Sequence, residues 1–83
     1  MTDDLKRIKS AKHLGEYRLL LIFSDGEKRE VDLKDEVGGG VFEPLRDVVF
    51  FGRVTVDPVA ETICWPNGLD LCPESLYEWS KPA

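Results

Sequence analysis

Asp25-Gly26 lies between two runs of strand-forming residues, and no other feature constrains the fold of this chain as tightly. Tyr17, Leu19, Leu21 and Phe23 fall on one face of the first run, with Leu20 and Ile22 on the other. The return run, Lys28 to Leu33, alternates cleanly, with Val31 and Leu33 inward and Glu30 and Asp32 outward. Asp-Gly at such a junction predicts a hairpin over residues 17–33 with a type I′ turn, both central residues at positive φ. Because both faces of the first strand are apolar, it is expected to be covered on both sides, by short helices or by a second subunit.

The rest of the chain offers shorter elements. Arg7 to Leu14 alternates weakly and reads as an edge strand closed by Gly15. Phe42 to Phe51 reads as a short helix opened by Pro44, with Phe42, Leu45 and Val48 or Val49 on its inward side. Arg53 to Asp57 and Glu61 to Trp65 form two more strands joined at Asp57-Pro58-Val59-Ala60, with Val54, Val56, Ile63 and Trp65 inward. Pro73 opens a last helix bearing Leu76, Tyr77 and Trp79, which Lys81-Pro82 ends. About five strands joined mostly by hairpins, with two short helices, make an α+β fold built on a mostly antiparallel sheet.

Eighty-three residues suit a single domain, residues 1–83, and 42% hydrophobic with 33% charged side chains excludes wholesale disorder. The longest apolar run, Leu19 to Phe23, is five residues, far short of a membrane helix, and Met1-Thr2-Asp3-Asp4 begins no secretory signal. A cytoplasmic protein without membrane attachment is expected. Net charge is −5, which opposes nonspecific binding to nucleic acid. Residues 1–18 hold five cations against three anions, whereas residues 19–83 hold six against thirteen. A lysine-guarded edge strand beside an acidic body accounts for that division.

No residue pattern carries catalysis. His13 is the only histidine, flanked by Lys12 and Leu14, and reads as a surface strand residue rather than a base for a Ser or Cys nucleophile. Glu30 and Asp32 face outward and Asp25 serves the turn, so they read as solvated carboxylates. Gly38-Gly39-Gly40 lacks the following lysine of a phosphate-binding loop and reads as a hinge or tight connection. Cys64 and Cys72 read as buried or half-buried thiols; without partner ligands they form no metal site. The expectation is a protein that is not an enzyme and needs neither metal nor cofactor.

Aromatic residues are the more informative inventory. Phe42, Phe50, Phe51, Trp65, Tyr77 and Trp79 all sit outside the main hairpin, more than a small core obviously needs. Tyr and Trp are favoured at the centres of interfaces. Phe42, Arg46, Asp47, Phe51, Trp65, Tyr77 and Trp79 are therefore the interaction candidates.

Several islands occur in a fixed order: Leu21-x-Phe23-x-Asp25-Gly26, Val31-Asp32-Leu33, Val41-Phe42-Glu43-Pro44-Leu45-Arg46-Asp47, Phe51 and Val54-Thr55-Val56-Asp57. Ile63-Cys64-Trp65-Pro66-Asn67-Gly68-Leu69-Asp70-Leu71 and Pro73-Glu74-x-Leu76-Tyr77 follow. From about residue 8 to residue 77 the chain resembles the bacterial domain of unknown function 2442 family. The resemblance implies a small α+β sheet domain and transfers no catalytic residues. In some relatives the domain precedes a helix-turn-helix repressor-like segment, which residues 73–83 are too short to hold, so operator binding by this chain is not expected. For members standing alone it implies the antitoxin-like half of a toxin–antitoxin-like pair.

Together these readings predict a noncatalytic protein-interaction module, either a homodimer or bound to a cognate small protein. The alternatives are a small-molecule or peptide-binding module with a pocket near Phe42, Arg46, Trp65 and Tyr77, and, more weakly, a transcription-regulator accessory domain.

Overall fold

A computed structural model describes residues 6–37 and 40–83. Strands β1 (Ile8–Gly15), β2 (Arg18–Phe23) and β3 (Lys28–Asp32) form an antiparallel meander. A 3-10 helix (Gly40–Arg46) and α1 (Val48–Phe51) follow, then the strand pair β4 (Thr55–Asp57) and β5 (Thr62–Cys64). The chain ends with α2 (Pro73–Trp79) and β6 (Lys81–Pro82). The larger sheet has the order β1-β2-β3-β6, and β4-β5 forms a second, two-stranded sheet. This is an α+β fold with an antiparallel sheet, as the sequence predicts. No described helix is long and apolar enough to cross a membrane.

The hairpin forms where expected, but its turn is of another type. Gly26 has φ +91°, while no positive φ occurs at Asp25. The Gly26 N–H donates to the Phe23 carbonyl at 2.8 Å, and the Phe23 N–H donates to Glu27 at 2.9 Å. That geometry is a three-residue loop, Ser24-Asp25-Gly26, with glycine supplying the left-handed residue of a bulge. The Asp25 carboxylate accepts from the Glu27 N–H at 2.9 Å, which holds the aspartate within the turn.

Period-two alternation then decides the core. Leu19, Leu21, Phe23, Val31 and Leu33 are buried on the inner face of the sheet, joined by Ile8, Val37, Leu45, Phe51, Ile63, Trp65, Leu71 and Leu76. The Phe42–Phe51 segment is divided rather than one helix. Pro44 lies inside the 3-10 helix, not at a helix start, and Asp47 begins α1 afresh. That restart shifts which side chains point inward. Leu45 and Phe51 are buried, whereas Val48 is half-exposed and Val49 is 78% exposed. Gly38 and Gly39 of the expected hinge, like Met1-Thr2-Asp3-Asp4, lie outside the described residues.

His13 is less superficial than its neighbours suggest. Its ring is half-buried against Phe51, centroids 5.6 Å apart, and its Nε2–H donates to the Glu16 carbonyl at 2.8 Å. Gly52 permits this, since a β-carbon there would sit 2.8 Å from His13 Nδ1. Cys64 is half-buried and Cys72 exposed, so only the first matches the expected burial; both are free thiols.

Lys81-Pro82 does end α2, and it also pairs with β3, Lys81 opposite Glu30 and Pro82 opposite Arg29. Arg29 fixes this return. It donates to Ser80 Oγ at 2.6 Å, to the Ser80 carbonyl at 2.9 Å and to Glu27 Oε2 at 2.7 Å, with its side chain only 12% exposed. At the outer edge, β1 pairs with β2 through two register shifts, between Ile8 and Ser10 and between His13 and Gly15.

Candidate functional site

The outer face of the sheet is the surface the fold leaves open. Strand register lays three rows across it: Ser10, Ile22 and Lys28; Lys12, Leu20, Glu30 and Lys81; and Gly15, Arg18 and Asp32. Leu20 and Ile22 are half-buried there by their neighbours within the sheet, and neither packs against the core cluster. Of the two covers expected for β2, short helices do not supply the outer one among the described residues: the inner face holds the core, and no described helix lies over Leu20 and Ile22. Arg18 Nη1 meets Glu30 Oε2 at 3.3 Å across this face. Beside them a groove of about 480 Å³ is lined by Arg18, Glu30, Asp32, Trp79, Lys81 and Pro82. Trp79, at the end of α2 and 40% exposed, is its aromatic wall.

The seven sequence candidates do not converge on one site. Phe51 is fully buried and Trp65 is 3% exposed, their rings 5.6 Å apart, with Trp65 Nε1–H donating to the Phe51 carbonyl at 2.9 Å. Both are core residues. Phe42 is half-buried against that core. Tyr77 is half-buried and fully engaged: its ring meets Phe23 edge-on at 5.4 Å, Lys6 and Arg29 each lie 4.0 Å from its centroid, and its hydroxyl donates to the Glu27 carboxylate at 3.2 Å. Cation–π contact and hydrogen bonding explain Tyr77 without a partner.

Arg46 and Asp47 lie at the junction of the 3-10 helix and α1. The Arg46 carbonyl accepts from the Tyr17 hydroxyl, and its exposed side chain lines a cleft of about 260 Å³ with Tyr17, Lys34 and Val37. Asp47 caps α1, its carboxylate accepting from the Val49 N–H at 3.0 Å. Asp47→Ala is expected to cost about 1 kcal/mol of stability, as N-cap losses do, and to leave any association unchanged. Urea unfolding paired with sedimentation of the same variant checks both halves.

The family model for DUF2442, proteins of unknown function, matches residues 8–82. The chain belongs to this family. A crystal structure of a protein described as a candidate DNA-binding protein from Nitrosomonas europaea ATCC 19718 is similar to it, with a TM-score of 0.79 and 25% sequence identity. The match covers 95% of this chain and 52% of that one, so the chain spans about half the length of that neighbour. No curated protein matches the chain.

In this DUF2442 domain, Trp79 is the one sequence candidate that borders the open face. Arg18, Leu20, Ile22, Glu30 and Lys81 are absent from the sequence candidates, although the alternation of β2 carried a signal for two of them. Among the described residues no group of three or more His, Cys, Asp or Glu side chains is placed to hold a metal ion. The face offers fixed charges around an apolar centre, chemistry suited to recognition.

Proposed function

We propose that this domain is a noncatalytic protein-interaction module that works through the outer face of its sheet. The observation that carries the reading is the pair Leu20 and Ile22, held apolar at the centre of a face that no described element covers. A sheet face exposed to solvent ordinarily alternates to polar residues, as β3 does here with Lys28, Glu30 and Asp32. An apolar centre inside a charged rim matches the anatomy of interfaces. The antitoxin-like half of a pair is one form such a module takes, with the partner a second small protein.

The experiment compares wild type with Leu20→Lys/Ile22→Lys by native mass spectrometry, alone at high concentration and after gentle purification from the host. The double variant should keep the wild-type circular dichroism and lose whatever association the wild type shows. Unchanged association would overturn the reading, and so would a wild type that associates with nothing under either condition.

A regulator accessory domain is the second reading, favoured by the Nitrosomonas europaea structure, of which the chain matches 52%. Direct contact of the outer face with phosphates is opposed by Glu30 and Asp32, which stand among its cations.

A further inference from the structure

Tyr17 stands just before β2 and Lys34 shortly after β3, at the end of the hairpin away from the Asp25-Gly26 turn. The Leu33 N–H closes that end by donating to the Tyr17 carbonyl at 2.8 Å. The junction of the 3-10 helix and α1 is tied against it by the Tyr17 hydroxyl, which donates to the Arg46 carbonyl. The cleft of about 260 Å³ between them is lined by Tyr17, Lys34, Val37 and Arg46.

Both cations of this lining stand on backbone that is held in place. The Lys34 N–H donates to Asp32 Oδ1 at 3.0 Å, and the Val37 N–H donates to the Leu33 carbonyl at 3.1 Å. Val37 is only 4% exposed. The Tyr17 ring is set edge-on against Phe51, and its hydroxyl proton already serves the Arg46 carbonyl, so it offers the cleft a wall rather than a donor.

The charge of the cleft is one-sided. Among the described residues no carboxylate lines it, whereas Glu30 and Asp32 stand beside Arg18 and Lys81 in the groove at the outer face. Ion pairs engage Arg7, Arg18 and Arg29; among the described residues neither Lys34 nor Arg46 enters one. Glu43, one 3-10 turn before Arg46, forms no ion pair with it either. Two like charges facing one cleft repel, and an anion between them reverses the sign of that interaction. This happens in a chain whose net charge is −5.

Two positive charges are matched by a dianion, which a phosphate monoester supplies and a carboxylate or phosphodiester does not. The guanidinium fork suits two phosphate oxygens, and an ammonium serves a third as a point charge. Pockets for drug-sized ligands run from about 300 to about 1,000 Å³, so this cleft fits a phosphate on a short carbon skeleton rather than a nucleotide. We infer that it binds the phosphate monoester group of a small molecule, with Arg46 and Lys34 on the oxygens and Val37 and the Tyr17 ring against the carbon chain. The cleft shares no lining residue with Leu20 and Ile22, so its occupancy is independent of the proposed role of the outer face.

NMR of the nitrogen-15-labelled whole chain tests it, titrated with glycerol 3-phosphate from about 0.1 to about 30 mM. Inorganic phosphate, dimethyl phosphate and acetate are titrated in parallel. Glycerol 3-phosphate should saturate with a Kd of about 1 mM or tighter, moving the Lys34 and Val37 amides and the Arg46 Nε–H. Dimethyl phosphate and acetate should bind at least about tenfold more weakly, and Arg46→Gln and Lys34→Gln should each weaken the ester by about tenfold or more. The recorded hydrogen bonds of both residues run through backbone atoms, so these variants should keep the wild-type spectrum elsewhere. Arg53→Gln removes the same charge outside the cleft and should leave binding unchanged. Equal weakening by Arg53→Gln, or equal binding of dimethyl phosphate, would reduce the effect to general ionic attraction and overturn the site. Inorganic phosphate binding as tightly as the ester overturns the carbon chain's part in recognition. Absence of saturable shifts at these residues up to the highest concentration overturns the inference altogether.

Discussion

Phe51→Ala is expected to remove about 3–5 kcal/mol of stability, the range for deleting a buried phenylalanine. The ring is fully buried and joins three parts of the chain. It meets Tyr17 edge-on at 5.4 Å, His13 at 5.6 Å and Trp65 at 5.6 Å, so β1, the β1–β2 turn and the chain after β5 all lean on it. Truncation leaves a cavity bounded by other rings, which cannot collapse without moving the sheet. A domain of this size has about 4–12 kcal/mol in total, so the variant loses from about a quarter of its stability to all of it. Urea unfolding followed by the fluorescence of buried Trp65 measures the loss. A change below about 1 kcal/mol would show that Phe51 is not the wedge described.

Arg29→Ala is expected to destabilise by about 2–4 kcal/mol, the larger part from charge and hydrogen-bond groups left without their partner. The guanidinium answers Glu27 at 2.7 Å and both the hydroxyl and carbonyl of Ser80, while stacking 4.0 Å from the Tyr77 centroid. With only 12% of its side chain exposed, the loss should change little with added salt, unlike that of the Arg7–Glu61 pair, where both partners are about half-exposed. Arg29→Lys keeps the charge but loses the planar fork, so it should recover a minority of the stability. Thermal unfolding should fall by roughly 10–20 °C for alanine. Hydrogen exchange should localise the loosening to α2 and β6.

The hairpin faces were legible because a strand repeats every two residues: Leu19, Leu21, Phe23, Val31 and Leu33 announce themselves. The turn type was not, because Ser24-Asp25-Gly26 differs by one loop residue from the two-residue alternative, and Asp-Gly serves both. Lys81-Pro82 escaped as a strand because two residues carry no periodicity; its pairing depends on Arg29, about fifty positions earlier. The division of the Phe42–Phe51 segment turned on Asp47, a cap whose role shows only once Val49 is above it.

The candidate site was legible in part. Aromatic composition does not distinguish a core ring from a surface one, and Phe51, Trp65 and Tyr77 proved to be held by other side chains. Leu20 and Ile22 were visible as a second apolar row on β2. What the sequence could not say is that both helices would leave that row bare. The register that brings Arg18 to Asp32 and Leu20 to Glu30 needed the length of the turn as well as its position.

The two bulges of β1 govern how this protein behaves when crowded. A flat edge strand offers evenly spaced amides and carbonyls on which an identical chain can add, and growth of that kind has no natural end. Displaced registers at both ends of β1 break that spacing, and Lys9 and Lys12 add charge that a neighbouring copy would have to bury. At the opposite edge, β3 is already occupied by Lys81-Pro82, with a proline that lacks the amide needed to continue a ladder. Strand-by-strand polymerisation is therefore disfavoured from either side, and a concentrated solution should remain clear and finite in particle size.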